Sequence, residues 1–208
     1  MSGDQEFRAL RFLQLGIQFL DLSQKVAEEI HKSGNQLATI HEGFLTMDEL
    51  EAAHEQETRW ADYNNGIPIF FNFYHGIELL LKGVLVAEGK SIRGVHSISN
   101  LVSEIEGLVG EQEFISSIRE YLDEERLPAI LLEFIRESKI NIDQWYQAFK
   151  YPEGIGKQSS AYAHSRLLYT LEAGAEFYGK LAKDITNIRV SCVQFVTNTY
   201  ESENIGYV

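Results

Sequence analysis

Pro68-Ile69-Phe70-Phe71-Asn72-Phe73-Tyr74-His75-Gly76-Ile77-Glu78-Leu79-Leu80-Leu81-Lys82-Gly83-Val84-Leu85-Val86-Ala87 is the stretch that decides the fold. Its polar residues Asn72, His75, Glu78 and Lys82 are three or four apart, the spacing of one helix face. Phe70, Phe73, Ile77, Leu80, Leu81, Val84 and Leu85 cover most of the remaining circumference. A helix that is apolar nearly all round belongs at the centre of a bundle. Pro68 suits its first turn, and Gly89 closes it.

Around this centre the chain reads as helices with short connections. Leu10, Leu13, Ile17, Leu20 and Ala27 recur at helical spacing, widened by Phe12, Phe19, Val26 and Ile30, and predict a first helix over 5–31. Gly34 ends it. Thr46 and Glu49 have the spacing of a capping box, which opens a charged second helix that Asn64-Asn65-Gly66 stops near Tyr63. Short helices follow over 97–108 and 112–122, then a solvated charge run at 123–125. Longer helices are predicted from Pro128 to Phe149 and from Ser159 to Ile188, with a loop at 151–156 between them. The β-branched residues beyond Arg189 fit a frayed end, a short strand or a partner-binding arm equally well. The expected fold is all-α, an antiparallel up-and-down helical bundle of four to five long helices plus short ones. It forms a single domain over 1–190, with an insert at 36–65 and a C-terminal tail at 191–208.

Composition narrows the function. The 208 residues include 31 Asp and Glu against 18 Lys and Arg, a net charge of −13. Broad clamping of a DNA or RNA backbone needs a basic surface and is not expected, although a local basic pocket is compatible with this balance. Cys192 is the only cysteine, so no intramolecular disulfide and no all-cysteine metal site can form. The first ten residues carry Asp4, Glu6 and Arg8 and do not read as a signal peptide. Residues 67–87 carry a polar group at nearly every turn, unlike a bilayer span. A soluble, cytoplasmic protein is therefore expected.

Chemistry-bearing patterns are few. Glu28/His31 and Glu51/His54 have the Glu-x-x-His spacing of di-iron bundles, with Glu78 and Glu172 as formal further ligands. Both pairs lie near helix ends on charged faces, so no metal and no cofactor is expected. Cys192 has no basic run beside it and reads as a buried, inert thiol. No phosphate loop, dinucleotide fingerprint or Gly-x-Ser-x-Gly elbow is present. The polar face of the third helix fits two readings. Glu78 and Lys82 form either a structural salt bridge at the bundle surface or, with Asn72 and His75, the wall of an anion pocket. Lys90, Arg93 and His96 add a small basic patch, either a solvated loop or a phosphate contact.

These residues carry a resemblance. Phe71 to Gly89, with Glu78 followed by Leu81-Lys82 and a closing Gly89, resembles the central helix of HEPN domains. Gly94-Val95-His96-Ser97-Ile98-Ser99-Asn100-Leu101 resembles the loop that ends in a histidine before a Leu-rich helix. Lys150-Tyr151-Pro152-Glu153 resembles the family's Arg-Tyr-Pro loop, with lysine in place of arginine. The similarity spans roughly 68–185. It implies an up-and-down bundle, usually dimeric. Many HEPN proteins are ribonucleases with an arginine four to six residues before a histidine. No pair here has that spacing, and Arg93 and His96, with two residues between them, are the nearest. The resemblance therefore implies a member without that motif: a non-catalytic nucleotide- or RNA-binding module, or a nucleotidyltransferase partner of toxin–antitoxin or defence type. The expected ligand contacts are Asn72, His75, Glu78, Lys82, Arg93, His96, Lys150 and Tyr151. The expected partners are a second copy, a nucleotidyltransferase or other protein, and a nucleotide or RNA in a local basic pocket, without a membrane. Two alternatives stay open: a divergent HEPN ribonuclease using Arg93 and His96, and a purely protein-interaction regulatory bundle.

Overall fold

The computed structural model describes residues 3–38, 40, 43, 46–92, 94, 96–154, 160–168 and 171–205. They form an all-α bundle, and among them no strand occurs beyond one isolated antiparallel bridge, Glu153 to Ala161. Three helices are long: α1 (Gly3–Lys32), α3 (Asp62–Ala87) and α8 (Leu171–Ile205). Shorter ones are α2 (Met47–Thr58), α4 (Ile98–Val109), α5 (Glu113–Arg119), α6 (Ala129–Ser138) and α7 (Trp145–Ala148). The expected four to five long helices are thus three.

The centre is α3, as its sequence dictates. Every residue from Gly76 to Ala87 is buried. α1 runs antiparallel to it: Gln5 reaches the Val86 carbonyl at one end and Ser23 the Ile69 carbonyl at the other. The two backbones approach closely because glycines line the seam. A Cβ on Gly76 would lie 2.7 Å from Leu20 Cγ, and one on Gly83 would lie 2.7 Å from Leu13 Cγ. α8 is antiparallel to α1, with Arg189 paired to Asp21 and bonded to Gln24, and His31 donating to the Ala175 carbonyl (2.7 Å). Tyr121 is buried beside α3 and donates to Asp184 of α8 (2.6 Å). One helical stretch within Met47–Ala87 is long and apolar enough to cross a membrane by length and composition; 83% of its apolar window is buried inside the protein.

Several expected boundaries hold. Gly34 (φ +70°) ends α1, the Thr46–Glu49 capping box starts α2, and Ser97 caps α4 by accepting from Asn100 N–H. Others shift, each for a physical reason. Asn64-Asn65-Gly66 do not stop a helix; they lie inside α3, which starts at Asp62 rather than Pro68. Asn35 Oδ1 accepts from Asp62 N–H (2.7 Å) and so caps α3 from the turn after α1. The Asn64 and Asn65 amides donate back to the carbonyls of Thr58, Arg59 and Ala61, splinting the break after α2. The helix predicted over 128–149 breaks after Ser138, where Lys139 turns left-handed (φ 54°). Asn141 and Gln144 then cap each other reciprocally and restart it as a 3-10 turn leading into α7. Residues 160–168, expected to be helical, form the bridge and a second 3-10 turn, His164–Leu167. From Arg189 to Ile205 the chain is helix, the continuation of α8. Cys192 and Val196 join the core and Phe195 packs on Phe114 (5.6 Å), so tertiary burial overrides the low helix preference of the β-branched run. Burial pushes the Cys192 thiol up to about 12, consistent with an inert side chain.

The glycine seam has a measurable consequence. In an open helix position Gly→Ala stabilises by about 0.5–1 kcal/mol. Gly107 of α4 is such a position, since a Cβ there would have nothing within 4 Å, and Gly107→Ala should raise stability by that amount. Gly83→Ala should instead lower it by about 1–3 kcal/mol, because the new methyl meets the branch carbon of Leu13. Urea unfolding of the two variants checks this; equal shifts would show that the α1–α3 contact tolerates a wider spacing.

Candidate functional site

The polar face of α3 lies between the loop before α4 and the segment carrying α7. Ser99 N–H donates to Asp143 (3.3 Å), tying the start of α4 to the turn that precedes α7. Helical spacing places Asn72, His75, Glu78 and Lys82 along this face. The pair at its centre is not at the bundle surface as one reading of the sequence had it. Glu78 is 4% exposed and Lys82 7%, and Lys82 Nζ donates to Glu78 Oε1 at 2.6 Å.

Glu78 gathers the surrounding groups. His96 Nδ1 lies 3.1 Å from Oε1, and His75 Nδ1 lies 3.7 Å from Oε2. Burial alone would raise the Glu78 carboxyl, but contacts with His75, Lys82 and His96 outweigh it and hold the group at about 2. The carboxylate is therefore ionised and can only accept, so the His96 proton sits on Nδ1. The His96 side chain is otherwise 76% exposed, which leaves Nε2 facing solvent.

An aromatic cluster adjoins the charges. His75 meets Phe19 of α1 edge-on (4.5 Å) and lies nearly parallel to Tyr146 (5.6 Å) and Phe71 (6.1 Å). Tyr146 Oη is 3.2 Å from His75 Nδ1. The Lys150 ammonium sits 4.1 Å above the Tyr146 ring and 5.9 Å from that of Phe71. Contacts thus run unbroken from Lys150 through Tyr146, His75 and Glu78 to Lys82 and His96. Asn72 is half-buried on the same face, and Tyr151 is exposed next to Lys150. Arg93 lies outside the described residues. Sequence reasoning missed Phe71, Tyr146 and Phe19. Phe71 is one turn before His75 and was within reach, whereas Tyr146 arrives only through the break in the predicted 128–149 helix.

The other constellations stay apart from this cluster. His31 Nδ1 is engaged by the Ala175 carbonyl, and the side chain of Glu172 is outside the described residues. Glu51 and His54 line a groove of about 640 Å³ between α2, the start of α3 and Leu168. Among the described residues no group of three or more His, Cys, Asp or Glu is placed to hold a metal ion.

The low Glu78 value sets a pH dependence. The folded group binds its proton near pH 2 and the unfolded one near 4.5. Its contribution is therefore complete above about pH 4.5 and is lost as pH falls towards 2; the difference corresponds to about 3 kcal/mol. Glu78→Gln leaves Lys82 buried without its carboxylate and should destabilise by about 3–5 kcal/mol at pH 7. The gap between wild type and variant should narrow by about 2 kcal/mol between pH 7 and pH 3 and close only towards pH 2. Glu78→Leu combined with Lys82→Met should recover most of the loss. Urea unfolding at pH 7, 5, 4 and 3 measures all three, and a gap that stays constant over that range contradicts the assignment.

Comparison with known proteins agrees with the helical architecture. No curated protein and no solved structure matches the chain. One family model does, covering a little less than half of the chain from Pro68 at the start of the quoted stretch to Ala161 at the antiparallel bridge, and enclosing Glu78, His96, Tyr146 and Lys150. That family is the HEPN domain, and residues 68–161 are similar to HEPN domains.

Proposed function

We propose that the chain is a HEPN-type helical module that binds a nucleotide or an RNA end beside the polar face of α3, without cleaving it. The observation that carries this reading is the Lys150 ammonium held over Tyr146, in contact through His75 and Glu78 with the exposed His96. Cationic donors for a phosphate beside the exposed ring of Tyr151 for a base form a minimal nucleotide site. Lys150, His96 and Tyr151 are the exposed contacts, with Arg93 and Asn72 as further candidates. Lys82 acts from beneath by neutralising Glu78. A net charge of −13 disfavours an extended polyanion, so the ligand is a short one held at this spot. The remaining parts of the reading are a cytoplasmic location, a homodimer, and a nucleotidyltransferase or other protein partner in a toxin–antitoxin or defence setting.

One observation favours a second reading. A histidine with Nδ1 on a buried carboxylate and Nε2 in solvent is arranged for proton transfer, the device of a ribonuclease using His96 with Arg93.

Titration with nucleoside mono- and triphosphates and short RNAs separates these. Lys150→Ala and His96→Ala should each weaken binding by about tenfold; Lys150→Ala should change stability by no more than about 1 kcal/mol, whereas His96→Ala also removes a hydrogen bond to buried Glu78 and should cost about 1–3 kcal/mol. The salt dependence should be shallow, in keeping with few phosphate contacts. Labelled RNA should stay intact. Binding indifferent to both variants rejects the site, and cleavage abolished by His96→Ala replaces the binding reading with the nuclease one.

A further inference from the structure

α1 has three working faces. Ala9, Leu13, Gly16, Leu20, Ala27 and Ile30 are buried, Leu13, Gly16 and Leu20 directly against α3. Asp21, Gln24 and His31 engage α8. The third face carries Phe12, Leu15, Phe19, Leu22 and Val26, in successive steps of three, four, three and four residues. This is the a/d spacing of a coiled-coil seam. A single exposed leucine carries no information, but five apolar residues in this register do. Leu15 is 44% exposed and Leu22 50%, while Phe12, Phe19 and Val26 are half-buried.

Over residues 8–26 the charges in the seam and on its open flank are of one sign. Arg8 occupies the seam position one turn before Phe12, and Arg11 and Lys25 lie at its open flank. Among the described residues none of the three is ion-paired; Arg8 lies over the Phe12 ring and Arg11 over that of Phe7. Asp21 of α1 is spent on Arg189, Glu28 accepts from Gln24, and Glu29, at the seam position after Val26, pairs with Lys32. A chain with an excess of thirteen acids thus leaves three cations around an uncovered apolar seam.

We propose that this face of α1 docks an amphipathic helix of a partner protein whose flanking positions are acidic. Seam spacing supplies the packing and the charge supplies the sign. α1 is already held by α3 and α8, so it loses little conformational freedom on docking. A second copy of this chain fits less well. In an antiparallel pair the open flanks face each other and bring Arg11 towards Lys25, while a parallel pair needs the flank that α3 already occupies. An anionic membrane is repelled by the rest of the chain. Phe19 also touches His75, so the docked helix lies along the edge of the candidate ligand site. The inference does not depend on that site binding anything.

The test uses the full chain and two labelled helical peptides of about three heptads, both with Leu at a and d, one flanked by Glu and the other by Lys. Fluorescence anisotropy should show the Glu-flanked peptide binding at least about tenfold more tightly. Leu15→Gln with Leu22→Gln should abolish that binding at unchanged circular dichroism and melting, since both side chains are half exposed. Arg11→Glu with Lys25→Glu should reverse the order of the two peptides. Equal binding of the peptides, or binding that survives the Leu15/Leu22 change, overturns the proposal. So does a dimer seen by light scattering that the same change dissociates, which assigns the seam to a second copy. Co-sedimentation with phosphatidylserine vesicles that this change removes overturns it in favour of a lipid surface.

Discussion

A carboxylate buried in the most apolar helix of the chain sets the conditions for everything around it. Glu78 loses its hydration inside the bundle, and that loss has to be offset by groups brought to it. Lys82 does this from one turn along the same helix, which costs no tertiary organisation. His96 and His75 do it at the cost of fixing a loop and a ring. The loop before α4 is therefore held at its histidine as well as at the Ser97 cap. His75 in turn sets Tyr146, and Tyr146 sets Lys150. A buried charge thus becomes an ordered row of side chains that ends in solvent.

The close approach of α1 makes that burial possible. Gly16, Gly76 and Gly83 remove the side chains that would otherwise hold the two helices apart, so Leu13 and Leu20 reach the α3 backbone. At this spacing Phe19 comes edge-on to His75 and closes one side of the polar face. Helix packing and site geometry are in this sense one arrangement, since widening the seam would also loosen the ring that contacts Glu78.

What was legible in the sequence follows from which forces are local. The polar residues of α3 could be placed on one face from spacing alone, because helical geometry is local. The capping box at Thr46 and the turn at Gly34 were legible for the same reason. The depth of Glu78 was not, since it depends on segments far along the chain folding over it. Asn64-Asn65-Gly66 carry a stop signal by composition, yet their amides bond backwards to α2 and Asn35 supplies the cap from 27 residues away. The break at Lys139 had a local marker in Asn141 and Gln144, a reciprocal cap inside a stretch whose helical spacing otherwise reads as continuous. Beyond Arg189 local preference and tertiary burial disagreed, and Cys192 and Val196 show which prevailed.

Net charge is a poor guide to this molecule because its charges are partitioned by helix face. The acids are spread along the chain, five of the 31 on α2 and three in the turn at 123–125, while α1 keeps Arg8, Arg11 and Lys25 outward and the α3 site keeps His96 and Lys150 outward. In physiological salt the interaction between exposed charges decays over about 8 Å, so each face acts through its own neighbourhood rather than through the total. The acidic remainder still matters, because it opposes extended polyanions while leaving short-range pairing with a single phosphate or an acidic helix intact. Phe19 and His75 mark where the two cationic neighbourhoods meet.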